Sequence, residues 1–469
     1  MTKKLMEPES VGAVQANNDA NELSPFIQTS PAGTDIGAAV APAPAFPGRE
    51  RRKKPRISET PPAPVPPPKL DDYEPIIGKA ALDEIRFLAA SLHGKKVKMV
   101  NSTAVGGGVA EMLNRLVPLL GEVEVATRWD VITGGNDFFE LTKAFHNALH
   151  GAEYHLTKEG RELFLMYSEQ NQQRMAFEED LVVIHDPQPA ALVRARGGNS
   201  HARWVWRCHI DLSNPNPEVW GFLRPMVEQY DAAVFSSPSF ARQSSIPQYL
   251  IYPCIDPLSE KNKELDDSYV QKVCDDFGID RSRPIVTQIS RFDRLKDPVG
   301  VVQAFKLAKQ YVDCQLVLAG GGASDDPEGD IVLQEVKAVA QDDPDIILLN
   351  LPPWCALEVN ALQRASTLIV QKSLREGFGL TVTEALWKGK PTIAGAVGGI
   401  PNQVIHKLTG ALVHSVEGCA YQIRYLLTHP EFASQLGKNG REHVKENFLM
   451  TTNLRRWLLL FKILSGTTA

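Results

Sequence analysis

The sequence predicts an α/β protein of two doubly wound domains that face one another across a cleft, preceded by a disordered extension. Three observations predict it. Two series of six short β-branched runs alternate with segments of helical periodicity. The polar stretch "IDPLSEKNKELDDS" (Ile255 to Ser268) parts the two series, and about the first 70 residues are rich in Pro and Ala. The expected division is an extension over 1–72, a first domain over 73–262, a second over 263–445 and a closing helix over 446–469.

In the extension, "AAVAPAPAFPG" and "TPPAPVPPPKL" carry too few large apolar residues to offset the entropy of ordering. The basic run "RERRKKPR" (Arg49 to Arg56) reads as a solvated linker before it reads as a contact for nucleic acid, an anionic membrane or a partner. From Tyr73 the strand candidates are "KVKMVN", "VEVATRWDVI", "LVVIHD", "WVWRCHI", "AAVFSS" and "QYLIYPC". The second set is "PIVTQIS", "CQLVLAG", "DIILLN", "TLIVQ", "KPTIAG" and "GALVH", with helix-like segments such as "DPVGVVQAFKLAKQ" between them. Parallel strands joined by crossover helices give Rossmann-like domains, whose ligands gather at the carboxyl ends of the strands. The final "TTNLRRWLLLFKILSG" reads as an amphipathic helix with Leu458, Leu459, Leu460 and Ile463 in the core.

Composition narrows the function. A length of 469 residues suits two domains, and a net charge of -6 supplies no global basic field for nucleic acid, so any anion site must be local. The six cysteines are scattered without a C-x-x-C, which argues against a disulfide framework or a zinc knuckle. No run approaches the roughly 20 apolar residues of a membrane span, and the N-terminus lacks the apolar region of a signal peptide. The expected location is the cytoplasm, with no membrane or nucleic-acid partner.

Three stretches carry chemistry. In "VNSTAVGGGVAEMLNRLVPLL" a strand runs into three glycines and a helix, so the backbone around Gly107 and Gly108 can either approach an anion or simply turn tightly. It is neither a G-x-G-x-x-G fingerprint nor a Walker loop. In "QISRFDRLKDP", Arg291 and Lys296 follow the first strand of the second series, where a planar fork and a point charge can straddle a diphosphate or can lie exposed on a loop. In "QKSLREGFGLTVTEALWKGKP", Glu376 lies on a loop and Glu384 on the helix that follows, and Gly377 and Gly379 leave amides free for a ligand. A hydrolytic carboxylate pair flanks one bond, about 5–9.5 Å apart; a loop-and-helix pair seven residues apart in the interval between them suits two parts of one extended ligand better.

Three further features are weaker. Asp343-Pro344-Asp345 precedes its strand and reads as a turn, and "SDDPEGD" from Ser324 lacks the spacing of a calcium loop, so no metal is expected. His185 ends a strand in "VVIHDPQP", where its imidazole either projects into the cleft or is structural.

Together these motifs resemble the retaining, nucleotide-sugar-dependent glycosyltransferases with two Rossmann-like domains, the glycogen synthase and sucrose synthase kind, of GT-B architecture. More closely, "YEPIIGKAALDEIRFLA", "FHNALHG", "HDPQP", "WRCHIDLSNPNPEVW", "LPPW" and "HSVEGCAYQIRYLL" are similar to the trehalose glycosyltransferring synthases, from about residue 73 onward. The extension lies outside that pattern. The resemblance implies that Glu376 lies beside the donor sugar and that Glu384 holds the ribose hydroxyls. It implies that Arg291 and Lys296 neutralise the diphosphate, assisted by amides around Gly377, Phe378, Gly379 and Leu380. It also implies that His185 meets the donor glucose and that the Gly106-Gly107-Gly108 loop closes over the substrates. Asp211 and Asn147 are candidates for acceptor hydroxyls, each equally readable as structural.

The implied reaction moves glucose from ADP- or UDP-glucose to free glucose, giving trehalose reversibly, with no cofactor beyond the substrates, no metal, and a homodimer allowed. A trehalose phosphorylase of related fold and a non-catalytic sugar-nucleotide sensor are the alternatives.

Overall fold

A computed structural model describes residues 66–104, 107–198, 201–321 and 327–466. The basic run Arg49 to Arg56, Gly106 and the stretch from Ser324 to Asp326 lie outside these residues.

All twelve predicted strands are present. The first six are β1 (Lys96–Asn101), β2 (Ala126–Val131), β3 (Leu181–His185), β4 (Arg203–Arg207), β5 (Ala232–Phe235) and β6 (Gln248–Leu250). The second six are β7 (Ile285–Ile289), β8 (Gln315–Gly320), β9 (Ile346–Asn350), β10 (Leu368–Gln371), β11 (Thr392–Gly395) and β12 (Ala411–Val413). The run "QYLIYPC" yields only three strand residues, because Pro253 has no N–H for the ladder.

Every strand pair is parallel, and the orders are β2-β1-β3-β4-β5-β6 and β12-β11-β10-β7-β8-β9. The direction of winding therefore reverses between β1 and β3 in one sheet and between β7 and β10 in the other. Such switch points open a crevice at the strands' carboxyl ends. The glycine loop follows β1, His185 ends β3, the Arg291 to Lys296 loop follows β7, and the Glu376 loop follows β10. Each predicted motif thus stands at a switch point.

Both faces of each sheet are covered, as parallel sheets require. Side chains alternate across the strand, so Leu181 and Val183 enter one core while Val182 and Ile184 enter the other. In the second sheet Leu316 and Leu318 face one core, and Val317 and Ala319 the opposite one. All six cysteines are buried and unpaired.

The closing helix (Met450–Gly466) packs on the first domain, where Leu454, Trp457, Leu458 and Phe461 meet Leu82, Ile85 and Leu113. Leu459 and Ile463, expected in the core, are 47% and 40% exposed. The 3.6-residue period assigns the 454, 457, 458 and 461 positions to one stripe and turns 459 and 463 outward. The chain crosses between domains at Ile255 and returns at Leu449. The Ile255 N–H donates to Phe448 O and the Met450 N–H to Ile255 O, both at 2.9 Å, so the crossings run side by side. Among the described residues no helix is long and apolar enough to cross a membrane.

Candidate functional site

On the second domain the site starts where β7 ends. Asp293 caps the turn Arg294–Lys296 through Leu295 N at 2.7 Å, and Asp297 caps the next helix (Pro298–Lys309) through Gly300 N at 3.0 Å. Gln288 Nε2 donates to Lys296 O at 2.8 Å. The loop is thereby fixed on both flanks and presents three cations with different fates. Arg294 turns outward into a two-pronged pair with Glu335, at 2.7 and 2.9 Å. Lys296 turns inward, and its Nζ meets Glu376 Oε2 at 2.6 Å. Arg291 stays 57% exposed, near Asp293.

Glu376 lies on the loop after β10, where Ser373 Oγ also reaches its Oε2 at 3.3 Å. The loop passes so close to Gly398, at φ +56°, that a Cβ there would meet Glu376 O at 1.6 Å. Gly399 N–H donates to Gly377 O at 3.0 Å, and Gln403 donates to Phe378 O. Phe378 is an anchor in the core, against Tyr252 and Phe448. Gly379 then starts the helix Leu380–Trp387 from the left-handed region, at φ +85°, and no side chain caps that end. Its first amides remain available to an anion.

Glu384 sits one turn into this helix and is 3% exposed. Its two oxygens are poorly served. Gln363 Nε2 lies 3.5 Å from Oε2, and Lys261 Nζ lies 3.9 Å from Oε1. Burial pushes its carboxyl above the ordinary range, against the pull of Lys261 and Lys388. Burial likewise pushes Lys388 down to about 7, with its Nζ donating to Asn262 Oδ1 at 3.0 Å. Among the described residues the two glutamates share no hydrogen-bond or ion-pair partner.

The first domain supplies the facing wall. A Cβ on Gly108, in the helix Gly107–Glu122, would stand 2.9 Å from Leu380 Cδ1, and one on Gly377 would stand 3.1 Å from His209 O. The domains thus touch at both glycine motifs, and Asn402 Nδ2 adds a 3.0 Å bond to Ser237 Oγ. The His185 imidazole is 2% exposed and turned away from open solvent: its Nδ1 shares a 3.0 Å hydrogen bond with His209 Nε2. His185 Nε2 and Arg207 Nη1 lack partners among the described residues, and both side chains line a cavity of about 10 Å³ together with Trp457 and Met112. Burial and the Arg207 charge push His185 down to about 3.

Asn147 is exposed, and Asp211 spends one oxygen on Ser213 N at 2.8 Å. Sequence reasoning passed over their neighbours. His146 and His150, at the end of the helix Asn136–Leu149, lie side by side with ring centroids 4.7 Å apart and their planes tilted by 58°. Burial, then His146, Arg375 and Lys296, push His150 down to about 3, while Arg291 and Lys143 add to burial in lowering His146. These two imidazoles therefore face cations of the second domain, Arg375 and Lys296 for His150 and Arg291 for His146. The signal in "FHNALHG" was a pair of histidines one helical turn apart. Among the described residues no group of three His, Cys, Asp or Glu side chains is placed to hold a metal ion.

Comparison with known proteins extends this picture. A family described as "Trehalose synthase, N-terminal domain" matches residues 99–242, and one described as "Glycosyl transferases group 1" matches 272–443. The trehalose synthase of Thermococcus litoralis is 46% identical over 396 residues, which is 83% of this chain and 96% of that protein. A trehalose phosphorylase of Pleurotus pulmonarius is 29% identical over 449 residues, 83% of this chain and 60% of that protein. Among solved structures, a sucrose-phosphate synthase from Thermosynechococcus elongatus superposes with a TM-score of 0.61 at 19% identity, over 80% of this chain and 100% of that one. That likeness concerns the fold alone.

Proposed function

Since the chain belongs to the trehalose synthase family of two-domain glycosyltransferases, we propose that its donor is a nucleoside-diphosphate glucose, that its acceptor is free glucose, and that the transfer is reversible. The observation that carries the reading is the pairing of Lys296 with Glu376 at the switch point of the second sheet, beside Arg291. Two cations and the uncapped helix start at Leu380 form a seat for a diphosphate, and the poorly served Glu384 waits for donors such as the vicinal hydroxyls of a ribose. One extended ligand fits both.

In the forward reaction the bond between glucose C1 and the diphosphate oxygen breaks, and its electron pair leaves on that oxygen. Lys296 and Arg291 stabilise the charge as it develops, the contribution that is usually largest in such sites. The anomeric hydroxyl of the acceptor attacks C1 from the same face, and its proton passes to the departing phosphate oxygen. Glu376, held by Lys296 and Ser373, lies beside the donor sugar, and His185 with His209 walls the sugar end. Asp211 and Asn147 take the acceptor hydroxyls. The Gly107 and Gly108 loop closes over both substrates, keeping water from C1. No metal enters the reaction, so chelation leaves the rate unchanged.

The test is incubation with glucose and, separately, ADP-glucose, UDP-glucose, GDP-glucose or glucose 1-phosphate, with the product read by NMR. An α,α-1,1 disaccharide from a nucleotide donor supports the reading. Product from glucose 1-phosphate alone moves the protein to the phosphorylases.

A further inference from the structure

Lys261 belongs to neither sheet. It lies in the polar stretch just after the chain crosses between domains, and it connects three elements. Its Nζ pairs with Glu111 Oε2 at 2.8 Å and stands 3.9 Å from Glu384 Oε1. Glu111 is on the glycine-loop helix of the first domain, one turn beyond Gly107 and Gly108. The same helix touches Leu380, at the start of the Glu384 helix. The stretch is anchored beneath: Asn360 Nδ2 donates to Glu260 O and Lys263 O at 2.9 and 2.8 Å, and Lys388 Nζ donates to Asn262 Oδ1. Lys261 is thus held at its base while its ammonium stands between two carboxylates, one from each domain.

The exposures differ in a telling way. The Glu111 and Lys261 side chains are 47% and 35% exposed, whereas that of Glu384 is 4% exposed. A hydroxyl coming to Glu384 must displace Lys261 from its place against Oε1. We infer that Lys261 is a positioning residue that switches between the two carboxylates. In the ligand-free protein it shields Glu384, and when ribose hydroxyls donate to Glu384 it passes wholly to Glu111, tying the glycine-loop helix down over the loaded donor. Glu111 acts only through Lys261. The inference rests on the proposed contact between Glu384 and a ribose.

The two halves of the pair then affect nucleotide binding in opposite directions. Lys261→Met removes the competitor for Glu384, and ADP or UDP should bind about three-fold more tightly, the scale of a partly exposed ion pair. Turnover should nevertheless fall, because the tie to the first domain is lost. Glu111→Gln leaves Lys261 with Glu384 as its sole carboxylate, and the same nucleotides should bind about three-fold more weakly. The double variant should behave as Lys261→Met. Simple attraction of the anionic diphosphate predicts the reverse signs for both single variants.

The experiment is calorimetric titration of ADP and UDP into the full-length protein and these three variants, at low and at high salt. Opposite shifts of the stated sign, persisting at high salt, support the switch. Reversed signs, equal shifts in both single variants, or a double variant unlike Lys261→Met would overturn it. Failure of every nucleotide to bind the unaltered protein would instead remove the nucleotide reading itself, and the switch with it.

Discussion

Lys296 Nζ stands 2.6 Å from Glu376 Oε2, so the cation after β7 and the carboxylate after β10 hold each other across the switch point of the second sheet. With exposures of 19% and 12%, neither can lose the other cheaply. Lys296→Met should lower kcat by about 100- to 1000-fold, as loss of a preorganised stabilising charge does, and should lower Tm by leaving Glu376 unpaired. The double variant Lys296→Met with Glu376→Gln should regain Tm without regaining activity. Recovery of both would mean that the pair is structural.

Glu384→Gln should separate binding from stability. The folded protein keeps this carboxyl raised by burial, so at neutral pH its charge burdens the native state. Removing the charge should leave the ligand-free Tm unchanged or higher. Affinity for ADP or UDP should fall about 10- to 100-fold, the worth of hydrogen bonds to a charged acceptor. Thermal shift with and without nucleotide checks both.

Three imidazoles withdrawn from solvent, His185 buried and His150 and His209 half-buried, set the response to acid. His150 and His185 are both pushed down to about 3, and His209 lies well below its ordinary value, chiefly through burial. Arg375, Lys296 and His146 face His150, while Arg207 faces His185 and His209. The unfolded chain takes up these protons near pH 6.5 and the folded one only far lower, so stability is full above about 6.5 and falls as pH drops below it. Each imidazole contributes up to about 1.4 kcal/mol per pH unit in that window. Urea unfolding at several pH values should show the slope, and His150→Gln should reduce it.

Gly377→Val tests the contact between domains. A Cβ there already presses on His209 O at 3.1 Å, and a branched side chain should hold the cleft ajar. We expect turnover to drop about 10-fold or more, the usual sensitivity to misplaced reacting groups, with little change in Tm. Small-angle scattering with ADP should show the variant failing to compact.

Much of this architecture was legible in the sequence because parallel strands covered on both faces are nearly continuous β-branched runs. "LVVIH" and "QLVLAG" announce themselves. The strand order was not legible, since pairings such as Ile369 with Thr287 join distant segments through backbone groups that carry no side-chain signature. The Leu458 to Leu460 run masks the helical period, so Leu459 and Ile463 read as core from sequence although the helix turns them outward. At the site, Glu376, Glu384, Arg291 and Lys296 stood out because glycines and strand ends frame them. Lys261 did not, for it lies in a polar stretch that reads as a boundary, and its partner Glu111 is 150 residues away. Nor did the burial of the His185 ring, which depends on the closing helix and on His209.

On the proposed function a nucleoside diphosphate, and not inorganic phosphate, occupies the seat between Lys296, Arg291 and the start of the Leu380 helix. Running the reaction backward tests it most directly: trehalose is supplied with ADP, UDP or phosphate, and the products are followed by phosphorus NMR. The expected products are a nucleoside-diphosphate glucose and free glucose with at least one nucleotide, and nothing with phosphate. Glucose 1-phosphate formed from trehalose and phosphate, with no product from any nucleotide, would contradict it.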